Sequence, residues 1–249
     1  MHDGRGRAFA DLHVHSSASF DSLSRPTDLT RAAVLRGLTH LAITDHERLD
    51  GALRARDAAP ADLTVIVGEE VRTTGGDLIG LYLERAIPGG LSPAEASAAI
   101  HEQGGLVVLP HPFDRFRSSA GSSGAPAGRS AALVELARAA DVVEAHNGRA
   151  MGRANALAAA FAAEHRLPTV ASSDAHTVLE VGVSYTVLAD DPHDARQLLA
   201  ALSGARLVCG RGSIVVRAWT PLAKLVQRAR GNRRVTVAPG AEVGHGTSG

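Results

Sequence analysis

Two histidines separated by one residue, His13 and His15, close the apolar run Phe9-Ala10-Asp11-Leu12-His13-Val14-His15. Side chains alternate across a β-strand, so residues two apart face the same way and these imidazoles aim at one point. Neutral imidazoles converging at a strand end begin a transition-metal site. Two incidental strand-end histidines would look the same, so the rest of the chain decides. It decides by recurrence. Asp45 and His46 follow Leu41-Ala42-Ile43-Thr44, Glu70 follows Val65-Ile66-Val67-Gly68, and His111 follows Val107-Val108-Leu109-Pro110. His146 and Asn147 follow Val142-Val143-Glu144-Ala145, and Asp174 and His176 follow Val170-Ala171-Ser172-Ser173. Each apolar run delivers a His, Asp or Glu at the same end, and parallel α/β barrels gather such residues at their C-terminal face. A multinuclear metal site is expected. Imidazoles suit zinc, iron and manganese, carboxylates bridge cations, and two or three such ions form a template for phosphoryl transfer.

The elements that must position these residues are legible as short apolar strands alternating with Ala/Arg-rich amphipathic stretches, an α/β layout with mostly parallel strands. Strands are expected at 8–13, 39–44, 63–67, 106–109, 142–145, 169–171 and 184–188, with 77–83 as an added hairpin arm after the Gly75-Gly76 turn. Ser92-Pro93-Ala94-Glu95 reads as a capping box opening a helix that Gly104-Gly105 ends, and Asp191-Pro192 opens another. The Ser/Gly/Ala-rich stretch 118–128 reads as a flexible loop. One domain over residues 8–230 is expected, followed by a flexible tail over 231–249.

Composition narrows the function. The 249 residues are 45% hydrophobic, enough for one barrel-sized core. Twenty-six basic residues balance 26 acidic ones, and aromatic content is 3%, which argues against a nucleic-acid track. Cys209 is the single cysteine, so a cysteine zinc cluster and an intrachain disulfide are excluded. No apolar run of about 20 residues is present to span a bilayer, and no signal-peptide core follows the first residues; a cytoplasmic protein without membrane contact is expected.

Taken together, Asp11-Leu12-His13-Val14-His15, Ile43-Thr44-Asp45-His46, Gly68-Glu69-Glu70-Val71, His111-Pro112-Phe113 and Ser173-Asp174-Ala175-His176 resemble the PHP (polymerase and histidinol phosphatase) domain of metal-dependent phosphoesterases. The likeness runs in consistent order from about Asp11 to Leu188. It implies a distorted (β/α)7 barrel of the PHP type holding two or three divalent metal ions, with Zn, Mn and Fe all admissible. It also implies that His13, His15, Glu70 and Asp174 hold a first metal, that Glu70 bridges to a second bound by His111, and that Asp21, His46 and His176 hold a third. Glu69 rivals Glu70, but the motif favours the second glutamate. Asp77 stands where many relatives carry a histidine, and is expected to replace it as a ligand of the second metal. His146 departs from an aromatic residue common in relatives and is expected at the substrate or behind the ligands. His2, His40, His101, His165, His193 and His245 lack a strand-end motif and are read as ordinary histidines.

The expected reaction is hydrolysis of a phosphomonoester, a small phosphorylated metabolite or a nucleotide, by a metal-bound hydroxide. No Gly-x-Ser-x-Gly element or P-loop offers another route. Asp45 or His176 would orient water or relay protons. Arg115 and Arg149, each shortly after a strand-end histidine, would grip phosphate, with His146 and Asn147 beside them. Three other readings stand. A phosphodiesterase or exonuclease would use the same metals. An amidohydrolase also opens on His-x-His; Lys224, the sole lysine, lies far past the strand motifs, which argues against a bridging carboxylated lysine and leaves a glutamate-bridged version. A noncatalytic metal-binding regulatory domain would be expected to have lost ligands, and here nearly all are present.

Overall fold

A computed structural model describes residues 6–114, 126–213, 216 and 219–234. The described residues build nine strands: β1 Ala8–Val14, β2 His40–His46, β3 Thr64–Arg72, β4 Asp77–Leu81, β5 Leu106–Leu109, β6 Val142–Asn147, β7 Thr169–Ser172, β8 Tyr185–Leu188 and β9 Arg206–Val208. They form one sheet in the order β7-β6-β5-β4-β3-β2-β1-β8-β9. β1 pairs parallel with β2, β2 with β3, β5 with β6 and β6 with β7. β4 runs antiparallel between β3 and β5, as a hairpin arm must. The sheet curls until its ends nearly meet. His15 N donates to Ala175 O at 2.8 Å, which joins the end of β1 to the segment after β7. This is the distorted (β/α)7 barrel expected from the sequence.

Among the described residues seven α-helices flank the strands: α1 Pro26–Leu35, α2 Asp50–Asp57, α3 Pro93–His101, α4 Pro126–Ala139, α5 Ala154–His165, α6 Ala195–Ala201 and α7 Trp219–Ala229. Ser92 and Glu95 close the capping box of α3 as read from the sequence. α6 starts three residues later than Asp191-Pro192 suggests. Asp194 is its cap, accepting from Gln197 N at 2.7 Å, while Pro192 O is taken by the ring of His40 at 3.0 Å. Among the described residues, no helix is long and apolar enough to cross a membrane.

The core has two layers, as strand alternation requires. Leu41, Ile43, Val67, Val107 and Val143 face the helices and meet Leu29, Ala52, Ile100, Leu136 and Phe161. Ala10, Leu12, Ala42, Ile66, Val108, Val142 and Val170 face inward, joined by Leu198 of α6 where the strands begin. One irregularity matters for function. In β1 the inward positions are Ala8, Ala10 and Leu12, yet Val14 belongs to the outer layer. The register shift between Asp11 and Val14 makes the change, and it turns His13 and His15 to the inside. Asp11 fastens this kink: its Oδ1 accepts from Ser173 N at 2.9 Å and its Oδ2 from Gly182 N at 2.8 Å.

Candidate metal centre

At the C-terminal mouth of the barrel the inward positions change from aliphatic to ligand-type residues. Ala42 and Ile66 precede His46 and Glu70 on the same faces of β2 and β3, by the period of two. His13 Nε2 and His15 Nε2 stand 3.0 Å apart. Glu70 Oε2 lies 3.4 Å from the first and 3.3 Å from the second, and Asp174 Oδ1 lies 3.6 and 3.5 Å from them. Donor atoms on one tetrahedral or octahedral cation at about 2.0–2.2 Å stand roughly 3.0–3.6 Å from each other. His13, His15 and Asp174 are spaced as ligands of one ion, and Glu70 Oε2 keeps a similar spacing from both imidazoles.

Two further sets adjoin it. Glu70 Oε1 lies 3.3 Å from His111 Nε2, so the two oxygens of one carboxylate face different imidazoles. On the other side, Asp21 Oδ2 lies 3.2 Å from His176 Nε2 and 3.5 Å from His46 Nε2, while His46 Nδ1 reaches Glu70 Oε2 at 3.3 Å. Three overlapping groups could each hold a cation: His13, His15 and Asp174; His13, Glu70 and His111; and His15, Asp21 and His46. Glu70 Oε2 and both ring nitrogens of His111 are buried and take no hydrogen bond among the described residues. Such atoms are costly in a dry interior and fit lone pairs directed at cations.

Groups behind the ligands fix their tautomers. His13 Nδ1 meets Glu144 Oε1 at 3.1 Å, and His176 Nδ1–H donates to Asp174 O at 2.9 Å, which leaves each Nε2 facing the cluster. Glu144 Oε2 also accepts from His111 N at 2.9 Å and from Asn147 Nδ2 at 2.9 Å. Asp174 and His111 hold backbone φ of 56° and 27°, a left-handed conformation costly for non-glycine residues and typical of functional sites.

Electrostatics follow from burial and crowding. Burial pulls the His15 imidazole down to about 3, with the charge of His46 adding to the effect, so it is a neutral donor. Burial also lowers His176, and Arg149 beside it acts in the same direction. For His13 burial is outweighed by Glu144 and Glu70, which hold it up at about 9; Glu70 and Asp21 do the same for His46. Burial disfavours the charged Glu70, but the imidazoles of His46 and His111 overcome it and keep the carboxyl well below its usual range.

Not every residue singled out in the sequence joins this cluster. Asp45 and His46 are neighbours on one strand, so they face opposite ways. His46 enters the mouth, whereas both oxygens of Asp45 accept from Ser16, its N and its Oγ each at 2.6 Å. Glu69 likewise turns away from Glu70, and its Oε2 accepts from Ile87 N at 2.9 Å. Asp77 opens onto the mouth but sits against Arg72 Nη1 at 2.9 Å and Arg234 Nη2 at 3.1 Å, in none of the three cation groups. His146 is turned outward by the register shift between Glu144 and His146 in β6. Its Nε2 meets Gly210 O at 2.8 Å, and it is in none of the three cation groups. Asn147 is buried, with its amide spanning Glu144 and Asp174, where the sequence suggested substrate contact. Arg149 does line the mouth; its Nη2 donates to Thr220 Oγ1 at 2.7 Å and its Nη1 lies 3.4 Å from Glu180 Oε2. Arg115 lies outside the described residues.

The sequence reading missed Glu144, although a lone carboxylate inside Val142-Val143-Glu144-Ala145 was a signal, since a buried charge needs partners. Lys224 and Arg234 also reach the mouth from the far end of the chain, and nothing local in the sequence marks them. Together these residues enclose a cavity of about 610 Å3 that opens on Asp21, His46, Glu70 and His176, with Arg149, Lys224 and Arg234 on its walls.

A helix-flanked barrel with imidazoles and carboxylates gathered at its mouth defines a metal-binding α/β barrel protein. The PHP domain matches residues 11–81, and a PHP-associated region matches residues 152–207. The chain belongs to the PHP domain family. An uncharacterized protein of Methanocaldococcus jannaschii is 34% identical over 182 residues, 70% of this chain and 68% of its own length. The error-prone DNA polymerase of Mycobacterium tuberculosis is 30% identical over 272 residues, covering 92% of this chain but only 25% of the polymerase. Among solved structures, a two-domain protein from Bacteroides vulgatus containing a predicted PHP-like metal-dependent phosphoesterase superposes with a TM-score of 0.67 at 19% identity, over 84% of this chain and 66% of that one. Endonuclease Q bound to a 27-mer duplex with an abasic lesion superposes with a TM-score of 0.58 at 16% identity, over 81% of this chain and 58% of that one.

Proposed function

We propose that the chain is a metal-dependent phosphatase that hydrolyses a small phosphomonoester at a two- or three-ion centre built by His13, His15, Asp21, His46, Glu70, His111, Asp174 and His176. One observation carries the reading: Glu70 Oε2 and Asp174 Oδ1 each stand 3.3–3.6 Å from His13 Nε2 and His15 Nε2, which are themselves 3.0 Å apart. Family membership supports it. Imidazole and carboxylate donors suit Zn, Mn or Fe alike. Bound divalent ions would supply Lewis acidity toward phosphate oxygens and lower the pKa of water toward neutrality.

The chain's own residues do the rest. His15 presents a neutral Nε2 donor, and His13, oriented by Glu144, presents Nε2 once its proton has left. Glu70 offers one oxygen to each side of the cluster. Arg149, held by Thr220 and Glu180, offers its guanidinium plane to a phosphate in the cavity. In a two-ion centre His176 faces the cavity through Nε2 and is positioned to exchange a proton with a leaving oxygen, while in a three-ion centre it is a ligand. Asp45 has no such access, so the proton-relay role rests on His176 alone.

A second reading, phosphodiester cleavage in nucleic acid, is favoured by the likeness to endonuclease Q and to the error-prone polymerase. The experiment is a screen of the protein loaded with Mn2+, Zn2+ or Fe2+ against phosphomonoesters, nucleotides and single-stranded oligonucleotides. Turnover of monoesters above oligonucleotides is expected. Oligonucleotide cleavage without monoester turnover would install the second reading. Metal binding with turnover of none would leave a regulatory metal-binding domain.

A further inference from the structure

α7 is amphipathic in the reverse sense of a core-facing helix. A surface helix of a globular protein turns its apolar stripe to the core and its polar side to water. In α7 the buried residues are Ala223 and Gln227, and Thr220, one turn earlier on the same side, is half-buried. The bonds they make inward are polar. Gln227 Nε2 donates to the carbonyls of Ser17, Ser19 and Ser22 at 2.7–2.9 Å, and Thr220 Oγ1 accepts from Arg149 Nη2 at 2.7 Å. The large apolar side chains point the other way. Trp219, Leu222 and Leu225 are 50, 43 and 65% exposed, and Ala229 beyond them is exposed too. Spaced three and four residues apart, they form one row along the helix. Polar bonds on the opposite side hold this row away from the chain's own core, and an apolar row rimmed by polar residues marks an interaction surface.

Charge says what covers it. Arg228 stands three positions after Leu225 and Arg230 four after Val226, so both border the row, and both are exposed. Residues 195–241 carry nine Arg and Lys and no Asp or Glu, in a chain where the two kinds balance at 26 each. Two copies of α7 laid against each other would bring arginines together with no carboxylate from either helix between them. A protein groove would need a shape matched to the row. An anionic lipid surface needs none: it takes a protruding Trp and Leu row into its headgroup boundary and supplies negative charge to the arginines beside it. Tryptophan is well suited to that boundary.

We propose that α7 docks the protein on an anionic lipid surface, with Trp219, Leu222 and Leu225 entering the headgroup boundary and Arg228 and Arg230 meeting the lipid phosphates and carboxylates. Among the described residues no helix is long and apolar enough to cross a membrane, so the contact is with the surface alone. The proposal does not depend on which phosphoester the metal centre takes.

The test uses the full metal-loaded chain with vesicles of phosphatidylcholine, and with vesicles in which part of the phosphatidylcholine is replaced by phosphatidylserine. Trp219 is the single tryptophan, so its emission reports on this face directly. A blue shift and co-sedimentation with the anionic vesicles are expected, with a partition about tenfold stronger than to phosphatidylcholine alone. Leu222→Ser with Leu225→Ser, at two exposed positions, should keep the circular dichroism spectrum and weaken that partition about tenfold. Equal partition to both kinds of vesicle, or to neither, would overturn the proposal. Co-sedimentation with unmoved Trp219 emission would place the lipid contact on another face and overturn it as well. Dimerisation in sedimentation velocity that the double variant abolishes, without vesicle binding, would assign the row to a second copy of the chain and overturn the lipid partner. None of these readouts requires turnover, so failure here leaves the phosphatase reading untouched.

Discussion

Glu144 Oε1 lies 3.1 Å from His13 Nδ1, and the same carboxylate takes the amide of His111 at 2.9 Å through Oε2. One buried side chain on β6 thereby orients ligands carried by β1 and by the loop after β5. Removing such a partner typically costs 10–100-fold in metal affinity. Glu144→Gln should therefore weaken metal binding by about that factor, measured by competition with a chelating dye, while the fold persists by circular dichroism. Unchanged affinity would show that Glu144 positions nothing.

Protons must leave before metal enters. His13 and His46 are both held up near 9 despite burial, by carboxylates around them, so at pH 7.5 in the metal-free chain each carries a proton. A cation needs the lone pair. Raising pH toward 9 removes the competing protons, so apparent metal affinity should rise over that range and fall below it. Calorimetry in two buffers of different ionisation enthalpy should detect proton release at pH 7.5. Buffer-independent heats would contradict this electrostatic account.

Asp45 tests the opposite role. Its oxygens hold Ser16 N and Oγ, and a Cβ at Gly51 of α2 would collide with Asp45 Oδ2, so the group is packed on the helix side. Asp45→Ala would leave two buried donors unpaired, at about 1–3 kcal/mol each. Urea unfolding should show a loss of about 2–6 kcal/mol, with metal stoichiometry kept after refolding. Wild-type stability with lost turnover would restore Asp45 to the chemistry.

Arg149 is the cation nearest a catalytic role. Arg149→Ala should reduce kcat/KM about tenfold, the loss of one phosphate contact. Thr220→Val, which removes only the partner of Nη2, should cost less. Equal losses would make Arg149 an anchor for α7.

How much of this was legible in the sequence depended on the range of the physics involved. The family motif separated Glu70 from Glu69, and the apolar runs located β1 to β8 but not the short β9. Alternation within a strand, applied to Asp45 and His46, would have excluded Asp45 from the mouth. What the sequence hid was irregular or remote. A register shift in β6 turns His146 away although it stands two residues from Glu144, and the kink in β1 turns His13 inward. Asp77 looked like a ligand because its partner Arg234 is 157 residues away. That partner lies in the stretch read as a flexible tail, of which residues 231–234 are described and Arg234 lines the mouth, while 235–249 lie outside the described residues.

The central claim is that Glu70 joins adjacent cation sites through its two oxygens. Equilibrium dialysis against Mn2+, followed by elemental analysis of the wild type and Glu70→Ala, tests it most directly. At least two ions per wild-type chain and no more than one per variant chain are expected. Equal stoichiometry in the two proteins, or none in the wild type, would contradict it.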